Sequence, residues 1–183
     1  LYTSLATWLP SYYNEVFNMS LATAASIVGL FNLVGIPASL IGGFLPSRVG
    51  LRKPFFLIPG TLIGFISLGV FSTPNPFILY PAIILLGICL WIYLPPMITV
   101  PMELPGITPA LAGIIIATAF GIADFAAFLA PLGIGWVFDH TGSYLPGFLV
   151  CTILSWTLLV GAIFLPETGP GRGIKQTGSY RST

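Results

Sequence analysis

One carboxylate stands in the middle of a long apolar run. Asp124 lies between Pro109 and Val137, and no Lys, Arg or His falls inside any apolar run of the chain to neutralise it. A carboxylate in a hydrocarbon setting is expensive and must face protein or a water-filled cavity. There it can take up and release a proton or hold a cationic solute; hydrogen-bonded, it can instead tie two helices together. Asn32, in another apolar run, poses the same choice, because a buried amide needs partners and finds them in a neighbouring helix or in a bound solute. Trp8, Tyr12, Trp91 and Tyr93 each offer an apolar face with a polar handle, suited to lining a cavity or to packing. Tyr12, beside Tyr13, also stands where an interfacial aromatic belt is expected. Glu103 lies between two runs, placed either to be solvated or to pair with a neighbouring loop as a gate.

Several chemistries find little support. His140 is the only histidine, so a histidine metal centre is not expected; Cys89 and Cys151 both sit in apolar runs, where packing is the default role. No phosphate-binding glycine loop, zinc motif or Cys-x-x-Cys pair occurs, and no cofactor is implied. A membrane-embedded enzyme would need several polar groups converging at one depth, and within the runs only Asp124 and Asn32 qualify, so an enzyme is not expected.

The elements that must position these residues are written in the composition. The chain is 56% hydrophobic and 6% charged, with mean hydropathy +0.98. Soluble domains carry about 25% charged residues, so this chain lacks the charge to cover a surface in water. Six runs are evident: Leu1–Tyr13, Leu21–Leu45, Phe55–Phe71, Phe77–Val100, Pro109–Val137 and Leu145–Leu165. A membrane-spanning helix takes roughly 20 apolar residues, so the first run reads as part of a helix and the others as full spans. Ser20 or Asn18 is placed to cap the second helix, and Thr108 followed by Pro109 to start the fifth. Pro81, Pro95, Pro96 and Pro131 lie inside runs, where each removes a backbone donor and bends its helix. Three pairs of small residues at four-residue spacing, Ala25/Gly29, Gly60/Gly64 and Ala117/Gly121, would let helices approach closely. The last residues, 166–183, are rich in Gly, Ser, Thr and basic residues without apolar period, and are expected to form a disordered tail after a bundle over residues 1–165.

Charge sets the expected orientation. All six basic residues (Arg48, Arg52, Lys53, Arg172, Lys175 and Arg181) fall on one side of the six runs. Cytoplasmic loops retain Lys and Arg during insertion, so the 46–53 loop and the tail are expected in the cytoplasm and the protein in a cell (inner) membrane. With net charge +1, nothing points to nucleic acid.

The stretch Gly43-Phe44-Leu45-Pro46-Ser47-Arg48-Val49-Gly50-Leu51-Arg52-Lys53 resembles the signature cytoplasmic loop of the major facilitator superfamily of transporters. Gly43, Leu45, Arg48, Gly50 and Arg52 fit that pattern, Lys53 adds a charge, and Ser47 stands where the family has Asp. The stretch Pro131–Tyr144 is similar to the family's turn between its last two helices, and Leu165-Pro166-Glu167-Thr168 to the Pro-Glu-Thr that follows the final helix. The resemblance implies an all-α membrane fold, with the six runs as helices seven to twelve of a twelve-helix transporter. It implies a fragment whose first helix is cut short and whose partner is an N-terminal six-helix half of the same chain. It further implies secondary transport of a small-molecule solute by alternating access, with proton coupling through Asp124 as one form. Two other readings stay open: a non-transporting sensor or scaffold on the same fold, and a half-size transporter working as a homodimer.

Overall fold

The computed structural model of the chain describes residues 1–169. The expected disorder of the tail beyond that point, with Arg172, Lys175 and Arg181, lies outside the described residues. Every regular element among the described residues is helical: α1 (Tyr2–Phe17), α2 (Leu21–Val49), α3 (Pro54–Ser72), α4 (Pro76–Ile92), α5 (Leu94–Glu103), α6 (Pro109–Thr141), α7 (Leu145–Ser155) and α8 (Thr157–Phe164). Helices α4 with α5, and α7 with α8, are single spans broken once, at Tyr93 and at Trp156. Five spans are long and apolar enough to cross a membrane, and α1, at 16 residues, is shorter.

Local chemistry explains most helix ends. The Ser20 hydroxyl accepts from the Thr23 N–H at 3.1 Å, and Thr108 does the same for Leu111 at 3.3 Å with Pro109 in the first turn, as side-chain caps should. Asn18 ends α1 in the left-handed region (φ 52°) rather than capping α2. Two expected loops turn out to be about half helix. Residues 46–49 continue α2 as its last turn, which Gly50 stops at φ 75°, so the loop to α3 shrinks to about four residues. Likewise α6 runs through Asp139 and His140 to Thr141 before Gly142 stops it at φ 67°. Prolines within spans do not end a helix when neighbours and side chains satisfy the freed backbone, which is why Pro46 and Pro131 lie inside helices.

The core gathers around α1. Leu5, Leu9 and Tyr13 are fully buried and meet Phe31 of α2, Val70 of α3, Leu86 of α4 and Phe148 of α7. The Tyr12 and Tyr13 hydroxyls donate to the Phe71 and Val70 carbonyls at 2.8 and 3.0 Å, serving acceptors at the end of α3 that the helix itself cannot. Large apolar side chains cover the outside, with Phe77 89%, Phe164 82% and Leu40 70% exposed, an arrangement suited to hydrocarbon and not to water. Of the 33 residues of α6, only Ala112 and Ile134 are buried.

Close approach is made at glycines. Pro96 has no N–H, so the Ile92 carbonyl lacks the donor four residues on; it projects instead onto α2, where a Cβ at Gly42 would overlap it. Gly60 and Gly64 of α3 receive α8: a Cβ at Gly60 would lie 2.9 Å from the Leu159 nitrogen, and one at Gly64 would collide with the Trp156 indole. Of the three small-residue pairs, Gly60/Gly64 is thus a packing face, whereas Gly29 and Gly121 face open space.

Candidate functional site

Two polar places stand out, one inside the bundle and one at the end that carries Arg52.

The first is a cavity of about 860 Å³. Leu1, Tyr2 and Thr3 of α1 line it, with Trp91, Tyr93 and Leu94 at the α4–α5 break, Ala119, Ala123, Asp124 and Ala127 of α6, and Ser155, Thr157 and Leu158 at the α7–α8 break. Both broken spans therefore turn their breaks toward one space. Broken helices are tolerated at membrane depth where they line a cavity or are buried in protein. Asp124 is the one Asp, Glu, Lys, Arg or His side chain that lines it, and among the described residues Asp124 makes no hydrogen bond or ion pair.

Tyr2 joins this cavity to α2. Its hydroxyl donates to Asn32 Oδ1 at 2.7 Å, and its ring meets the Trp91 indole edge-on at 5.6 Å. Three helices thus contribute to one contact. Tyr2 escaped the sequence reading because it stands at the start of the first run with nothing in its neighbours to mark it. Trp8 is placed elsewhere: its indole N–H donates to the Pro131 carbonyl at 2.8 Å, tying α1 to α6. Tyr12 is 4% exposed and its hydroxyl is engaged with α3, also away from the cavity. Of the residues singled out from sequence, Asp124, Trp91 and Tyr93 line the cavity, Asn32 reaches it through Tyr2, and Trp8 and Tyr12 join helices.

The second place is a knot of charged groups. Arg52 is 5% exposed, and its guanidinium grips Glu103 with two bonds, Nε to Oε2 at 3.2 Å and Nη2 to Oε1 at 2.6 Å. A fork facing a carboxylate is the strong geometry for such a pair. Arg52 Nη1 also donates to Ser47 Oγ at 3.2 Å. Ser47, where the resembling family has Asp, thus keeps the hydrogen bond while Glu103, at the end of α5, supplies the charge. The Thr168 hydroxyl donates to the same Glu103 at 3.0 Å.

Glu167 closes the knot from the other end of the chain. The backbone N–H groups of Arg52 and Lys53 donate to its two oxygens at 2.6 and 3.1 Å, so the carboxylate sits on the N-terminus of α3, where the helix dipole favours an anion. Partial burial pushes the Glu167 carboxyl up, but N–H donors from Arg52, Gly169, Lys53 and Thr168 outweigh it and hold it below its ordinary value. Lys53 in turn donates from Nζ to the Ile163 carbonyl at 2.8 Å, near the last turn of α8. Arg48 lies outside the knot, over the Phe44 ring at 4.3 Å, and Gly43 faces Pro95 at van der Waals distance. The knot joins the α2–α3 loop, the end of α5 and the segment after α8. Its long-range partners, Glu167 and Thr168, stand in the Pro-Glu-Thr stretch visible in the sequence, but nothing local there points to Arg52, Lys53 or Glu103 as their partners.

A family model described as Major Facilitator Superfamily matches residues 1–131. The chain belongs to this superfamily. A protein of Cupriavidus necator named as a probable sulfoacetate transporter is 25% identical over 174 residues, covering 87% of this chain and 38% of that protein. A protein of Thermus thermophilus named as a probable nitrate/nitrite antiporter is 36% identical over 77 residues, covering 40% of this chain and 16% of that protein. The chain therefore spans less than two-fifths of the length of either relative. No solved structure matches. The superfamily membership and the apolar helices make this a multi-pass membrane protein.

Proposed function

We propose that the chain is the C-terminal six-helix half of a secondary active transporter, helices seven to twelve of the full fold. On this reading it lies in the cell membrane with the Arg48–Lys53 end and the C-terminal tail in the cytoplasm. It works with an N-terminal six-helix half by alternating access, the two bundles rocking about a site near the bilayer midplane. The solute crosses unchanged. The observation that carries the reading is the cavity where both broken spans meet Asp124.

Within it, Asp124 takes the role of proton carrier. An unpaired carboxylate facing a cavity can be charged when that cavity opens to water and neutral when it is sealed. The Arg52–Glu103 pair, with Glu167 and Thr168, acts as a latch at the cytoplasmic end: α5 carries Glu103 at one end and meets the cavity at the other, so a swing of α5 would open the latch and reshape the site together. Sulfoacetate, nitrate and nitrite, the solutes in the relatives' names, are small oxyanions. We extend that class to this protein, with a proton on Asp124 offsetting the charge of the bound anion.

The test is uptake by the complete protein in proteoliposomes under an imposed pH gradient. Asp124→Asn should abolish gradient-driven uptake and leave solute exchange intact. Uptake that follows the gradient equally in both proteins would remove Asp124 from the mechanism, and absence of flux for any solute would favour a sensor or scaffold.

A further inference from the structure

We propose that Trp91, Asn32 and Tyr2 form a neutral subsite whose two free N–H groups, on Trp91 and Asn32, hold the oxygen atoms of the transported oxyanion. The inference rests on the transport reading above and names the groups that would hold the solute.

Three observations converge. First, the Trp91 indole nitrogen is buried with no hydrogen-bond partner, one of two such side-chain atoms among the described residues. An orphan buried N–H is unfavourable, and native structures rarely keep one without a reason. Second, the Asn32 amide is oriented. Its Oδ1 is occupied by the Tyr2 hydroxyl at 2.7 Å, which leaves the Nδ2 hydrogens pointing away, on an exposed residue. Third, the two donors lie on the same stretch of α2. Gly35 is three residues beyond Asn32, hence on the same side of the helix, and a Cβ there would sit 2.5 Å from Trp91 Cδ1 and 2.7 Å from Nε1. The indole N–H edge therefore rests on α2 about one turn from Asn32; Tyr2 touches both residues, and Tyr2 and Trp91 line the cavity.

The chemistry of this set selects its ligand. Both free groups are N–H donors. Asn32 Oδ1 is already engaged by Tyr2, and residues 54–139 and 1–47 contain no basic side chain. A polyol would ask for acceptors as well as donors, whereas an oxyanion asks for donors alone. Hydrogen bonds to an anion are roughly twice as strong as neutral ones, and more so away from water. A modest turn of the indole off Gly35 would bring its N–H to the cavity, where an anion oxygen would relieve it.

Calorimetric titration of the complete purified protein with nitrate and with sulfoacetate tests this, with glycerol as the neutral probe. Binding of at least one anion is expected, and none of glycerol. Trp91→Phe, which keeps an aromatic ring but removes the N–H, and Asn32→Ala should each weaken that binding about tenfold or more. Tyr2→Phe should weaken it less, because the amide is only released. Thermal melting without anion should be unchanged in Trp91→Phe, which separates lost binding from lost folding. Binding of neither anion, equal binding of glycerol, or unaltered affinity in both Trp91→Phe and Asn32→Ala would overturn the subsite. If those variants bind normally while the protein still transports, only the subsite fails; if nitrate binds through these donors but no solute moves, only the transport reading fails.

Discussion

Removing the Glu103 carboxylate should destabilise the protein more than an ordinary surface charge change. Arg52 is 5% exposed, and the Glu103 side chain is 28% exposed. A fully buried pair that loses one partner leaves an uncompensated charge at a cost of roughly 3–5 kcal/mol, whereas an exposed pair contributes about 0–1 kcal/mol. With one partner buried and the other partly wet, Glu103→Gln should cost about 2 kcal/mol, since Ser47 Oγ still accepts from Nη1. The Gln amide has one oxygen where Glu103 has two, so it cannot accept from Arg52 Nη2 while keeping the oxygen shared by Arg52 Nε and Thr168. A double-mutant cycle of Glu103→Gln with Arg52→Gln isolates the pair, and its coupling should exceed about 1 kcal/mol. The assay is equilibrium unfolding of the complete protein in detergent, run beside cysteine accessibility at the Arg52 end. The loosened latch should also raise accessibility there. A coupling near zero with unchanged accessibility would show that the fork carries no weight, and the latch would have to be abandoned.

Other expectations follow from single contacts. Gly42→Ala sets a Cβ onto the Ile92 carbonyl, which belongs to backbone and cannot rotate away, so the variant should lose about 1–3 kcal/mol of stability or fail to insert; wild-type melting would show that α5 moves freely off α2. Tyr13→Phe strands the Val70 carbonyl in a buried place and should cost about 1–2 kcal/mol, while a change below half of that would mean water reaches the end of α3. Glu167 sits below its ordinary value, so its share of stability is complete above about pH 4.5 and falls away as pH drops through its lower folded value. Stability of the wild type minus that of Glu167→Gln should therefore shrink only in that acid window, and a difference independent of pH would separate Glu167 from the N-terminus of α3.

Some of this architecture is plain in the residues. The apolar runs and Thr108 before Pro109 led directly to spans and to a helix start that the structure repeats. The run Pro109–Val137 is the longest of the six, and α6 is the longest helix described. What escaped has tertiary causes. The break at Trp156 has no proline or glycine to announce it; it lies where Gly64, on another helix, admits the indole. The last turn of α2 reads as loop because Pro46 and Gly50 are both breakers, yet only Gly50 takes a positive φ. Glu103 was open to two readings because Arg52 is 51 residues away in sequence. Gly42 and Gly43 are indistinguishable in a motif, and only the Ile92 carbonyl makes the first the crowded one. Asp124 was legible as an anomaly, since a lone carboxylate among apolar residues needs a reason, but the two broken spans around its cavity lie on either side of α6 in the chain and meet only in the fold.

The most direct measurement is proton flux with solute. The complete protein, reconstituted in vesicles, is given sulfoacetate or nitrate without an imposed gradient, and the internal pH is followed as solute enters. Acidification should track uptake in the wild type and be absent with Asp124→Asn, although that variant still exchanges solute. Solute entry with no pH change in the wild type, or equal acidification in both, would contradict the assignment of Asp124 as the proton carrier of this bundle.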